Sequence, residues 1–198
     1  MQTNTYNSAA PNPTTVAHRT VNGIDVAGLQ ASIDEIKTDP RKGETTWRVH
    51  SKWMGGTRSD HHVRGCDIGG AFVPRPFVIK IDEPCELAGT NEFANPQEYL
   101  LAAINACMMV GYSAVAAIMG IKLTKLELET TGDIDLRGFL GISESITPGY
   151  LKLEQTVRID GNASAEKFDR LHDIVRRTSP NFFNITRAIP MNSRMMVG

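Results

Sequence analysis

The sequence carries almost no excess of either charge: 21 Lys and Arg stand against 22 Asp and Glu, for a formal net charge of −1. A balance that close leaves no basic face for nucleic acid and no acidic run of the kind that makes a disordered tail. Cysteine is scarce. Cys66, Cys85 and Cys107 are odd in number and show no CxxC spacing, which argues against a disulfide framework and suits a reducing, cytoplasmic setting. HExxH, GxGxxG, the P-loop and GxSxG are all missing, so the usual signatures of zinc proteases, nucleotide binders and serine hydrolases are absent. The N-terminal stretch MQTNTYNSAAPNPTT is polar and lacks the apolar core of a secretion signal, so no leader is expected.

What the sequence does hold is one long uncharged run, NPQEYLLAAINACMMVGYSAVAAIMGI, from Asn95 to Ile121. No charge occurs in it from Tyr99 onward. Its length would suffice to cross a membrane. However, Ala, Gly and Ser are frequent, Asn105 lies mid-run, and no basic cluster marks a cytoplasmic side. The expectation is therefore a helix buried in the core of a soluble fold, with no membrane as partner. Its start is well signed: Asn95 as cap, Pro96 at the first helical position, and Glu98 three residues after the cap. Gly120 provides a stop. Ala102, Ala103, Ala106, Gly111, Ala114 and Ala117 would let another backbone come close. A domain of this size rarely covers a helix on every side, so a second copy of the chain is expected against it.

The rest of the chain arranges itself around that helix. Residues 1–22 are rich in Asn, Thr, Pro and Ser and read as a flexible arm. Residues 23–198 form one domain, whose first part, 23–44, is a helical extension: Val26, Leu29, Ile33 and Ile36 recur at helical spacing and Asp39-Pro40 ends the run. Thr45–Trp53 alternates as a half-buried strand, Gly55-Gly56 turns it, and Arg58–Cys66 pairs back. Pro74 and Pro76 are expected to break this hairpin before a third strand carrying Phe77, Ile79 and Ile81. After the long helix, Leu126 and Leu128 alternate with Lys125, Glu127 and Glu129; Leu151, Leu153, Val157 and Ile159 form a further strand. Ser164 caps a second helix with Phe168, Leu171, Ile174 and Val175 as its apolar stripe, ended by Ser179-Pro180. A last strand is expected within Asn184–Val197, interrupted by Pro190. The class is α+β with antiparallel sheets, a long central buried helix and a second helix.

Cys107 is the first candidate for chemistry. The thiolate is the nucleophile, and the middle of a helix offers no free N–H end to stabilise it. A reactive Cys107 therefore needs a cation brought from elsewhere in the fold; without one it is a small buried hydrophobe. His61, His62 and Cys66 offer metal-ligand types, but neighbouring strand residues face opposite ways and nothing completes a four-ligand set. His172 reads as a solvated residue on the polar flank of its helix.

The order of several motifs carries a resemblance. NPQEYLLAAINAC resembles the segment before the peroxidatic cysteine of the OsmC/Ohr family, the osmotically inducible and organic hydroperoxide resistance proteins. WMGGTRSDHHVRG is similar to the family's early hairpin, FVIKIDEPCELAGTNEFANP to its lead into the helix, and DIVRRTSPNF to the end of its second helix. The resemblance covers residues 45–198. It implies an OsmC-like fold, an intertwined homodimer with two long helices at its centre, and active sites at the subunit interface. It also implies reduction of organic hydroperoxides with two cysteines and no cofactor or metal. On this reading Cys107 is the catalytic nucleophile. Arg58, after the Gly-Gly turn, matches the arginine that stabilises the thiolate, with Arg64 as second choice. Two positions depart from the family pattern. Ser179 stands where the resolving cysteine is expected, and Gln97 stands where one branch has a glutamate that partners the arginine.

The functional expectation is a thiol peroxidase acting on organic hydroperoxides through a single cysteine. An external thiol reductant serves as partner, unless Cys66 or Cys85 resolves the oxidised sulfur. The alternative is a non-catalytic small-molecule binder built on the same dimer pocket.

Overall fold

The computed structural model describes residues 20–198. Residues 1–19 of the expected arm lie outside the described part; its last three, Thr20, Val21 and Asn22, are drawn into structure. Strands β1 (Thr20–Val21) and β2 (Ile24–Asp25) pair across an Asn22-Gly23 turn whose two residues have φ of 54° and 76°. Both are left-handed, the combination that favours Asn-Gly in a two-residue hairpin. The Asn22 amide is then used twice: Nδ2 donates to the Ile121 carbonyl at 2.9 Å, and Oδ1 accepts from the Leu123 N–H at 2.9 Å. One turn residue thus ties the chain start to the exit of the central helix. Helix α1 (Val26–Thr38) follows, capped by the Asp25 carboxylate on the Ala27 and Gly28 N–H groups.

Strands β3 (Thr45–Trp47), β4 (His50–Trp53), β5 (Ser59–Ile68) and β6 (Ala71–Ile81) form an antiparallel meander in which β5 is central. β3 and β4 share one of its edges and β6 takes the other. The first turn is Gly55-Gly56, as the sequence indicates, at φ of 95° and 58°. The expected break at Pro74 and Pro76 does not occur, because β6 runs through both. A proline cannot donate to a ladder, but β6 is an edge strand, where one side needs no donors. The second turn lies at Gly69-Gly70, again at positive φ.

The central helix α2 (Pro96–Ile118) begins with the capping box read from the sequence: Asn95 Oδ1 accepts from the Glu98 N–H, and the Glu98 carboxylate accepts from the Asn95 N–H. It ends at Gly120, φ 70°, with the Ile121 N–H on the Ala116 carbonyl. Ile104, Met108, Tyr112 and Ala116 recur every four residues and are buried. They pack with Ile121 and with Leu171 and Val175 of helix α4 (Ala165–Thr178). Gly111 lets the two helices approach: a Cβ there would lie 3.2 Å from Val175 Cγ1. The apolar faces of β7 (Leu123–Gly132) and β8 (Leu153–Gly161) close the core through Leu126, Leu128, Val157 and Ile159. The short helix α3 (Leu136–Phe139) lies in the loop between them.

The other side of α2 is open within one chain. Val110 is 69% exposed, with Leu100 and Ile118 also exposed. The meander is similarly bare, with Trp47, Trp53, Phe72 and Phe77 all exposed. The helix expected to be covered all round is therefore covered by its own chain on one side only. The expected last strand is not formed: α5 (Pro180–Thr186) occupies its start, and residues 187–198 make no ladder. Ser179 and Pro180 supply a helix cap and a first-turn proline, so the local signal there is for a helix.

Truncating Met108, fully buried at the centre of the α2–α4 contact, to alanine is expected to cost about 2–5 kcal/mol. Chemical denaturation, comparing Met108→Ala with the unaltered protein, measures this; a loss under about 1 kcal/mol would show that the core lies elsewhere.

Candidate active site

Cys107 lies where the buried side of α2 gives way to the open side. It is half-buried. The polar group against its sulfur is Ser179, whose hydroxyl donates to Sγ at 3.4 Å. Ser179 is 5% exposed and sits at the corner between α4 and α5. It holds that corner with three groups: its N–H donates to the Val175 carbonyl, its carbonyl accepts from the Phe183 N–H, and Oγ accepts from the Phe182 N–H at 3.3 Å. Asn181 adds a tie across α2, Nδ2 to the Ala103 carbonyl at 2.9 Å, one turn before the thiol. The corner is therefore pinned to the helix beside Cys107. A group placed at residue 179 must face the sulfur.

Arg58 is placed elsewhere within the chain. It follows the Gly55-Gly56 turn, its backbone closes that turn with Gly55 and Met54, and its guanidinium pairs with Glu92 at 3.4 Å. One chain thus brings Cys107 to Ser179, and Arg58 to Glu92, without joining the two pairs by a hydrogen bond. Arg64 is exposed on β5. Gln97 and Glu98 lie in the first turn of α2, and the Glu98 carboxylate is engaged by the cap.

The loop that carries Arg58's partner is built on Asp82, a residue not singled out in the sequence. Asp82 is fully buried. It accepts from Thr57 Oγ1 at 2.6 Å, from Thr90 Oγ1 at 2.6 Å, and from the N–H groups of Thr90 and Glu92 at 3.0 and 3.2 Å. These donors hold its carboxyl well below the usual carboxylate range, the Thr57 hydroxyl contributing most, and they outweigh the opposing effect of burial. Because Thr57 precedes Arg58 and Glu92 follows the Thr90 loop, this carboxylate sets the distance between arginine and glutamate. The signal for it was an acid closing an alternating apolar strand, in Val78–Asp82.

His172 is not solvated as the sequence suggested. Its Nδ1 and the hydroxyl of buried Tyr112 are hydrogen-bonded, and burial pushes the tyrosine pKa up to about 12. Asn105, the polar residue inside the apolar run, is also satisfied: Thr130 Oγ1 and Gln155 Nε2 donate to its Oδ1 at 2.6 and 3.0 Å. These contacts fasten α2 to its neighbours and explain polar residues that periodicity left unexplained. His61 bonds to Ser51 and Ser59. Cys66 is buried, Cys85 is exposed in the turn before α2, and all three cysteines are free thiols. Among the described residues no group of three or more His, Cys, Asp or Glu is placed to hold a metal. A concavity of about 830 Å³ between Asp133 and Lys152 is lined by none of the three cysteines, nor by Ser179 or Arg58.

The model of the family described as OsmC-like protein matches residues 89–194, more than half of the chain. The chain belongs to the OsmC-like family. The matched span holds α2 with Cys107, the β7–β8 pair and the corner at Ser179. No curated protein matches the chain. Among solved structures, an OsmC-like protein from Mycoplasma pneumoniae superposes with a TM-score of 0.56 at 15% identity, covering 71% of this chain and 87% of that one. An OsmC-like protein of unknown function from Vibrio cholerae gives 0.50 at 11% identity, covering 69% and 91%. At these identities the likeness is one of fold. An organic hydroperoxide resistance protein from Legionella pneumophila aligns over 70% of this OsmC-like chain and 89% of its own, at 16% identity and a TM-score of 0.45.

The Asp82 network gives a pH dependence with a fixed sign. A carboxyl depressed in the folded state stabilises it above the unfolded value of about 3.9 and loses that contribution as pH falls toward the folded value. Thermal melts between pH 7 and strongly acid conditions should therefore show Asp82→Asn to be less stable at neutral pH, with a shallower acid limb. Parallel acid limbs for the two proteins would remove Asp82 from this role.

Proposed function

We propose that this OsmC-like protein is a thiol-dependent peroxidase that reduces organic hydroperoxides through Cys107, acting as a cytoplasmic homodimer. The observation that carries the reading is the seating of Cys107. It is half-buried at the margin of an open apolar helix face, with a buried hydroxyl aimed at the sulfur from the α4–α5 corner. The open side of α2, with Val110, Leu100 and Ile118 exposed, is the face a second copy would cover. Closure there would enclose the thiol in a pocket with apolar walls, suited to an organic peroxide. An arginine reaching Cys107 from the partner would supply the cation absent from its own helix. Arg58 is the residue we propose for this role.

The chemistry balances with one cysteine and an external thiol. The Cys107 thiolate attacks the peroxide oxygen bearing hydrogen. The O–O bond breaks, the alkoxide leaves and takes a proton as an alcohol, and the sulfur, oxidised by two electrons, holds the hydroxyl as a sulfenic acid. A small thiol condenses with it, releasing water and forming a mixed disulfide. A second equivalent of that thiol attacks the disulfide and restores Cys107. Ser179 cannot form a disulfide, so it leaves the sulfenic acid open to the external thiol.

A second reading, a non-catalytic small-molecule binder on the same dimer, is favoured by Ser179 in place of a second thiol and by Arg58 held on Glu92.

With dithiothreitol as reductant, the protein is expected to consume cumene hydroperoxide, and Cys107→Ser to abolish turnover. Absence of turnover, together with a Cys107 that takes up no sulfenic-acid probe after peroxide, sinks the peroxidase reading in favour of the binder. Ser179→Cys makes a sharper test of geometry. One equivalent of peroxide should convert it to an intramolecular 107–179 disulfide seen by mass spectrometry, and a variant that stays as two thiols or dimerises through them contradicts the placement.

A further inference from the structure

The meander has a concavity that the thiol chemistry does not use. β5 loses its partners on both edges at one place. On one edge, pairing passes from Trp47↔Cys66 to His50↔His62, leaving Arg48 and Val49 outside the ladder. On the other, the register slips between Val63 and Gly65. Such irregularities bend a strand and re-aim its side chains. Here they leave Arg64 unpaired in the backbone ladder and open a hollow of about 450 Å³, lined by Arg48, Val49, His50, His62, Arg64 and Phe72 along with Gly65. Gly65 is part of the construction: a Cβ on it would fall 2.4 Å from Phe72 Cζ, so the missing side chain is what lets the Phe72 ring lie across β5 as one wall.

We propose that this hollow binds an organic phosphate monoester, independently of any chemistry at Cys107. Two arginines and two histidines line it, and the lining holds no carboxylate. Arg48 is paired with Asp67, which is not in the lining, at 2.6 Å, so Arg64 is the guanidinium left for a ligand. Arg64 makes no ion pair among the described residues, so its five donors are available to a ligand. Donors that approach from two strands suit the several oxygens of a tetrahedral anion better than the single plane of a carboxylate, and a guanidinium pairs with phosphate through two parallel bonds. The volume exceeds what a bare phosphate fills. Val49 and Phe72 give the remaining wall an apolar surface, which fits a carbon substituent on the ester. His50 and His62 are directly opposite in the ladder, so both rings stand at the same edge of the hollow.

The full-length protein is titrated with phenyl phosphate, with inorganic phosphate and benzoate in parallel, and followed by calorimetry and by the imidazole proton resonances. Saturable binding of phenyl phosphate is expected, tighter than that of either comparator. The His50 and His62 resonances should shift with one midpoint while His172 stays still. Arg64→Gln is expected to weaken binding roughly tenfold or more, the equivalent of about 1.4 kcal/mol. His62→Asn, on the opposite rim, provides a second and smaller loss. No saturable binding, benzoate binding as tightly as phenyl phosphate, or shifts confined to His172 overturns the assignment. Should Arg64→Gln fold poorly in a thermal melt, the resonances of the unaltered protein decide the matter alone.

Discussion

Ile104, Met108, Tyr112 and Ala116 repeat at every fourth residue of α2, and their burial against Leu171 and Val175 is the contact on which the other elements depend. It places α4 beside the central helix, and hence the corner that ends α4. That corner carries Ser179, and Ser179 reaches Cys107. The same four-residue stripe leaves the opposite side of α2 without cover. The dimer proposed above would cover that uncharged side, from Tyr99 to Ile118, so the dimer reading and the position of the thiol are one question.

Polar groups do the fastening where apolar packing alone would slide. Asn105 is locked by Thr130 and Gln155, Tyr112 by His172, and the chain start by the two bonds of Asn22. Each fixes a register that Ala, Met and Leu side chains leave loose. Asp82 does similar work at the other end of the molecule, gathering four donors from two loops so that Arg58 and Glu92 face each other. Asp82 and Tyr112 are buried and Asn22 and Asn105 half-buried, and each has hydrogen-bond partners, as interior polar groups require.

Much of the fold was legible because its signals are local. The capping box at Asn95 and Glu98, the stop at Gly120, the Gly55-Gly56 turn and the alternation in β7 and β8 each follow from residues a few positions apart. The misreadings came where a residue's partner is distant in sequence. Pro74 and Pro76 read as breakers because nothing nearby says that β6 is an edge. His172 read as solvated because Tyr112 is sixty residues away. Asn184–Val197 was expected to hold a strand, while the Ser179-Pro180 start gives its first residues a helix.

For the candidate site the division is sharper. Cys107, the empty place of a second thiol at Ser179, and Arg58 after the glycine turn were all visible as residue types in a recognisable order. The sequence by itself determined that there would be one uncharged helix with one thiol in it and a hydroxyl where a second thiol is expected. Only the tertiary structure decided that the hydroxyl is 3.4 Å from that thiol and that Arg58 is held by Glu92 within the chain. The same holds for the β5 irregularity that leaves Arg64 out of the ladder and in one hollow with two histidines. The reason is physical: identity and period are properties of neighbours along the chain, whereas a distance between residues 107 and 179 is set by how two helices pack.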